Sequence, residues 1–265
     1  MKRLKMLGVG KSRRGYTIVE ALIFLAVSGA LLVSAGTVIS GRQERTRFSQ
    51  AIDDVSQNLQ DVFNDASTGF YPSANNIICS VTGTPGSTLT LGSNPSIQGT
   101  NQACIFAGKL IEFPTNTTTY NIYTAVANRN ATSLNTSIMK LLGKNSNPGI
   151  SETKINNIDL RTTKIVPNPN PSGVTYPSIV VLSDFGNVTG TTVSGNAGKL
   201  KLYGYNQNIS SGDVTTAQLV PITGNSTLVI CLRQDGNNAS RIGSVTITPQ
   251  LTIDRQIGTQ ETVCA

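Results

Sequence analysis

From Tyr16 to Gly41 the chain runs 26 residues with a single charge, Glu20, and from Ala21 to Gly41 it carries none. At a helical rise of about 1.5 Å per residue, the uncharged stretch reaches about 30 Å, the hydrocarbon thickness of a bilayer. A transmembrane helix is therefore predicted over residues 16–41, and Arg42, Arg45 and Arg47 close it. The pattern then changes from continuous to periodic. Phe48, Ile52, Val55, Leu59, Val62, Phe63 and Ala66 recur every three or four positions, with Gln50, Asp53, Asp54, Gln57, Gln60, Asp61 and Asn64 between them. That spacing predicts an amphipathic helix with one buried stripe. Gly69-Phe70-Tyr71-Pro72 supplies a glycine cap followed by a proline stop. One long helix over residues 16–68 is the result, lipid- or helix-facing in its first half and the spine of a head in its second. A coiled-coil stalk would produce the same stripe, but so many strand-like segments follow that a sheet is the better partner.

Beyond Pro72 the composition turns to Ser, Thr, Asn and Gly with short β-rich runs. Strands are predicted at 76–79, 87–91, 103–113, 121–127, 178–182, 199–205, 217–222, 227–233 and 243–253, with one short helix at 136–142. The stretches 143–151 and 167–177 are rich in Pro, Asn and Gly and predict loops or a linker between two lobes. The expected fold class is α+β, with a long N-terminal helix packed on a mostly antiparallel β head spanning residues 69–265. Residues 227–233 and 244–248, joined through Asp235-Gly236, predict a terminal hairpin.

Charge then separates the first fifteen residues from the rest. The net charge is +7. Residues 1–15 hold Lys2, Arg3, Lys5, Lys11, Arg13 and Arg14 without an acid, so the remainder is close to neutral. Six cations before the apolar stretch against three after it predict a cytoplasmic leader and an exported head, by the positive-inside rule. A secretory signal peptide is the plainer alternative, but it has a shorter apolar core and a small-residue cleavage site. The chain has no His, which excludes Ser-His-Asp triads, Cys-His dyads and His-ligated zinc.

Glu20 decides between a plain anchor and something more specific. A carboxylate in lipid costs several kcal/mol unless it is paired, and so marks a functional position. It stands five residues after Gly15 in Lys11-Ser12-Arg13-Arg14-Gly15-Tyr16-Thr17-Ile18-Val19-Glu20-Ala21-Leu22. A basic leader ending in Gly, then an apolar or aromatic residue, then Glu at the fifth mature position opening a long apolar helix, closely resembles the type IV prepilin family. The resemblance is strong over residues 11–70 and weak beyond. It implies cleavage by prepilin peptidase after Gly15, N-methylation of Tyr16, and a pairing of Glu20 with the terminal amine of a neighbouring subunit. It further implies a pilin-like fold, other pilin subunits, the inner-membrane assembly machinery and the lipid bilayer as partners, and a single-pass location in the cytoplasmic membrane before assembly into a surface pilus. The physical chemistry agrees. A residue without Cβ admits close backbone approach by a peptidase, and a new cation at a helix N-terminus is disfavoured by the dipole and calls for a nearby anion. Many major pilins carry a Pro midway along this helix; here Gly29, Gly36 and Gly41 are the only weak points.

Cys79, Cys104, Cys231 and Cys264 all fall on the exported side. Their spacing does not match zinc knuckles, and three pairings are open to them. The sequence-local pairs Cys79–Cys104 and Cys231–Cys264 are expected in an oxidising exterior, against free buried thiols as the alternative. No cofactor or metal is expected. Gly8-Val9-Gly10-Lys11-Ser12 lacks the first glycine of a phosphate loop, and the acids are scattered rather than paired, so an enzyme is not expected. The size and elaboration of the head favour a minor or tip component. Two other readings stay open: a membrane-anchored surface adhesin that does not polymerise, and a minor pilin whose Lys199, Lys201, Arg233 and Arg241 converge on DNA. DNA or a host surface is the partner these imply.

Overall fold

The structure, a computed structural model, describes residues 17–69, 77–82, 88–93, 104–128, 138–145, 147–156, 159–170, 172–184, 199–207, 209, 212–234, 241–258 and 264. One helix, α1, runs Ile18–Thr68. Gly69 follows at φ 70°, the left-handed conformation that ends a helix and that glycine adopts without a Cβ penalty. The chain divides into two compact units at Thr46/Arg47.

In the first unit, Ile18–Gly36 has a mean hydropathy of 2.3 and is long and apolar enough to cross a membrane. Leu22, Phe24 and Leu32 are 62%, 71% and 74% exposed. So much apolar area left open in water would be strongly unfavourable; in lipid or against other helices it is not.

The second unit is α+β. Its strands are β1 (Ile77–Thr82), β2 (Thr88–Ser93), β3 (Cys104–Glu112), β4 (Thr119–Asn128), β5 (Ile138–Leu141), β6 (Glu152–Ile155), β7 (Leu160–Asn168), β8 (Ser178–Asp184), β9 (Lys199–Tyr205), β10 (Asp213–Thr215), β11 (Leu219–Pro221), β12 (Thr227–Gln234), β13 (Arg241–Ile247) and β14 (Ile253–Gly258). They form a β1–β2 pair, an eight-stranded sheet in the order β10-β5-β4-β3-β8-β9-β11 with β6 against β4, and a four-stranded sheet in the order β14-β13-β12-β7. All of these pairings are antiparallel.

The helical stripe read from the sequence is the organiser of the main core. Phe48, Ile52, Val55, Leu59, Val62, Phe63 and Ala66 are all buried, and they cluster with Ile111, Tyr120, Ile179 and Val181 of the larger sheet and Leu228, Ile230, Val245 and Ile247 of the smaller one. The stripe thus packs on sheets, as expected, and not in a stalk. The helix comes close at Gly243: a Cβ there would collide with Ile52 Cδ1 and crowd Phe48 Cζ and Gln256 O. The far face of the eight-stranded sheet buries a second cluster, including Leu110, Tyr123, Val180, Leu182, Met139 and Leu141. Burial on both faces explains why β8 reads as a continuous run, Ile179-Val180-Val181-Leu182, instead of alternating.

Several expectations need correction. The short helix expected at 136–142 is not found over the described part of that segment: β5 occupies Ile138–Leu141 between β4 and β10, with alternating burial. The segment 243–253 is not one strand, because Leu251 N–H donates to Thr248 O (2.9 Å) and Thr248 N–H to Thr252 O (3.0 Å), turning the chain between β13 and β14. Residues 217–222 begin in a 3-10 turn (Thr216–Gln218), and only then comes β11. Two strands without a sequence signal, β6 and β7, lie between the stretches predicted as loops, and β7 runs two residues, Pro167 and Asn168, into the second of them. The predicted terminal hairpin is present as β12 paired with β13; its Asp235-Gly236 turn lies outside the described residues.

Candidate assembly site

The N-terminus of α1 holds Glu20 in a reciprocal capping arrangement. Thr17 N–H and Thr17 Oγ1 both donate to Glu20 Oε2 (3.0 and 3.1 Å), and Glu20 N–H donates back to Thr17 Oγ1 (3.3 Å). Ala21 N–H donates to Thr17 O at 3.1 Å, closing the first turn. Thr17 is thus the N-cap and Glu20 the third helical residue of a capping box, which satisfies two of the amides that a helix start leaves open. The carboxylate also sits at the positive end of the helix dipole. Its charge therefore has partners within its own chain. Sequence reasoning on Glu20 alone missed Thr17, although Thr-x-x-Glu ahead of an apolar run is the written signature of this cap. Gly15 and Tyr16 lie outside the described residues.

Three cations mark the other end of the apolar stretch. Arg42, Arg45 and Arg47 are exposed, and Thr46 Oγ1 donates to Arg42 O at 3.1 Å. No protein-family model matches the chain, nor does any curated protein or any solved structure.

In the second unit Cys231 and Cys264 are disulfide-bonded, with a Cα–Cα distance of 5.6 Å across 33 residues. The bond ties Cys264 to the middle of β12, beside Val166 and Val229. Cys79 lies on β1 and Cys104 begins β3; their side chains are outside the described residues. The four cations proposed for DNA are divided between sheets. Lys199 and Lys201 are on β9 of the eight-stranded sheet, the Lys199 side chain outside the described residues, whereas Arg233 and Arg241 are on β12 and β13 of the four-stranded one. Arg241 lies opposite Gln234, the neighbour of Arg233, so strand alternation turns the two arginines to opposite faces. Among the described residues no three Cys, Asp or Glu side chains gather closely enough to hold a metal ion.

Charged groups pin α1 to the sheets. Arg255 of β14 pairs with Asp53. Lys109 of β3, 2% exposed, lies 3.9 Å from Asp65 near the helix end. Burial lowers the Lys109 pKa, opposed by the negative charges of Asp65 and Glu152. On the far side of the larger sheet, Lys144 Nζ donates to Glu112 Oε2 (2.8 Å) and to Tyr123 OH (3.3 Å), anchoring the loop after β5. Burial lowers the Lys144 pKa, but Glu112 and Tyr123 outweigh it and the net shift is upward.

Tyr120 yields a pH prediction. Its hydroxyl is buried without a well-formed hydrogen bond. Burial, opposed by nearby Asn58 and reinforced by Asp54, pushes its pKa up to about 12. The unfolded phenol titrates near 10, so the folded state holds the proton more tightly between the two values. Stability is therefore expected to fall as pH rises from about 10 to about 12, by about 2–3 kcal/mol from this group. Urea denaturation of the parent and of Tyr120→Phe across that range checks this; parallel pH curves would remove the assignment.

Proposed function

We propose that the chain is a structural subunit, in the position of a minor or tip component, of a type IV pilus or related pseudopilus filament. In this reading prepilin peptidase cleaves after Gly15, Tyr16 becomes the N-methylated terminus, and the subunit waits in the cytoplasmic membrane with a pilin-like head outside. The assembly machinery then extracts it as its apolar helix packs against the helices of other subunits. The observation that carries the reading is the conjunction at the start of α1: a carboxylate held in a capping box at the mouth of an exposed apolar helix. A plain anchor would be served by a neutral cap, which satisfies the same amides without placing charge in lipid.

The amphipathic second half of α1 supports the same reading, because its buried stripe makes one element both anchor and head spine. In this reading the chain has no catalytic role and its partners are other pilin subunits, the peptidase and the bilayer. The test is the terminus of the membrane-inserted protein, read by mass spectrometry after expression with a prepilin peptidase. A methylated Tyr16 terminus is expected, lost on Gly15→Leu. A terminus at Met1 in the presence of active peptidase removes the proposal in favour of a surface adhesin that does not polymerise.

A further inference from the structure

We propose that the outward face of the four-stranded sheet, with the cleft along β7, binds an acidic oligosaccharide. In the ladder between β12 and β7, Arg233 lies directly opposite Arg161, and both are exposed. Two guanidiniums opposite one another on one face offer a carboxylate a two-pronged contact. Lys164 joins them through an irregularity. Three residues after Arg161, it would point to the other face of a regular strand. The register shift between Cys231 and Leu232 leaves Thr163 as an extra residue on β7, so Lys164 lies opposite Cys231 and shares the face of Arg161 and Arg233.

The same bulged segment walls a cleft of about 340 Å³ lined by Thr115, Thr163, Lys164, Thr175, Tyr176 and Asn206, among others. Thr162, also in its wall, is 2% exposed, and its Oγ1 has no hydrogen-bond partner. No Asp or Glu is among the described residues that line the cleft. Hydroxyls and one amide suit the hydroxyl groups of a sugar ring, and three neighbouring cations suit its carboxylates. Lys164 belongs to both surfaces, which makes them one site. Lys164 and Arg233 already engage groups within the chain; an anion adds to those contacts through donors that remain, five N–H groups being available on each guanidinium.

Nucleic acid fits less well. Single strands are held by stacking on open aromatic faces, and the rings at this cleft, Phe113 and Tyr176, are 2% and 5% exposed. A duplex requires a longer basic track, whereas the outward positions of β13 and β14 include Ser244, Thr246, Gln256 and the acidic Asp254.

The test uses the full chain in detergent micelles and three fluorescent probes: a polygalacturonate oligomer of about ten sugars, a dextran oligomer of equal length, and duplex DNA of about twenty base pairs. Anisotropy is expected to report binding of polygalacturonate alone, weakening with salt. Arg161→Gln with Arg233→Gln should weaken it at least tenfold, and Thr175→Val with Asn206→Ala at least threefold. Lys201→Gln, on the other sheet, should leave it unchanged. The circular dichroism spectrum of the arginine pair variant is expected to match that of the parent, so that its loss of affinity reads the site and not the fold. Unchanged affinity in that variant would place the anion on the leader or on Arg42, Arg45 and Arg47, and would overturn the proposal. So would equal binding of dextran, absence of polygalacturonate binding, or DNA binding as tightly with the same losses, the last assigning the face to nucleic acid.

Discussion

Glu20→Leu is expected to reduce recovery of the subunit in sheared filaments at least tenfold, while cleavage after Gly15 continues. On the proposed reading, cleavage leaves a cationic amine on Tyr16, one turn from Glu20 and at the helix end where the dipole disfavours positive charge. Two unit charges about 4 Å apart attract by about 4 kcal/mol at an effective dielectric constant near 20. If desolvation cancels two thirds of this, about 1.4 kcal/mol remains per subunit, a factor of ten in the association constant. The capping box supplies the way to separate charge from shape. In the free subunit Glu20 is already held by Thr17 N–H and Oγ1, so a neighbour's amine must compete with, or add to, a local cap. Glu20→Gln keeps a cap-forming side chain without the charge and is expected to fail like Leu. Thr17→Val keeps the charge, costs about 1 kcal/mol in helix capping, and is expected to assemble. Filaments as abundant with Gln as with Glu would dispose of the electrostatic account. Failure of Thr17→Val to the same degree as Leu would mean that the cap itself is what assembly requires.

The disulfide between Cys231 and Cys264 carries the second large effect. It closes a loop of 33 residues onto a strand residue that is 0% exposed. In the chain-entropy account, closing a loop of that length stabilises the native state by about 3–4 kcal/mol. The bond also covers part of the outward face of β12 and β7, where Val229 and Val166 are buried with it. Cys264→Ser is therefore expected to lower stability by about 3–4 kcal/mol and to raise access to the Cys231 thiol. Urea unfolding under oxidising conditions, with thiol labelling, checks both. A loss below about 1 kcal/mol would show that packing around Val166 and Val229 holds the C-terminus without the bond.

The sequence by itself determined the elements whose signal is local and strong. The apolar stretch, its flanking cations, the helical stripe from Phe48 to Ala66 and the Gly69 stop were all legible because a helix writes its burial into a fixed period within one segment. The pairing of Cys231 with Cys264 followed from sequence locality, and the longer strands from their β-branched runs. The reciprocal cap at Thr17 is also written locally, as Thr-x-x-Glu ahead of an apolar run. What only the tertiary structure decided is set by neighbours distant in the chain. Met139, Lys140 and Leu141 are good helix formers, yet they are a strand because β4 and β10 offer ladder partners on either side, and pairing outweighs propensities of a few tenths of a kcal/mol per residue. The charged β6 and the bulged β7 gave no clean alternation, since one is an edge strand and the other carries an extra residue. Arg161 and Arg233 are 72 positions apart in the chain, and only the ladder makes them neighbours. Cation clusters of this kind arise from register, which depends on long-range packing and leaves no period in the sequence to read.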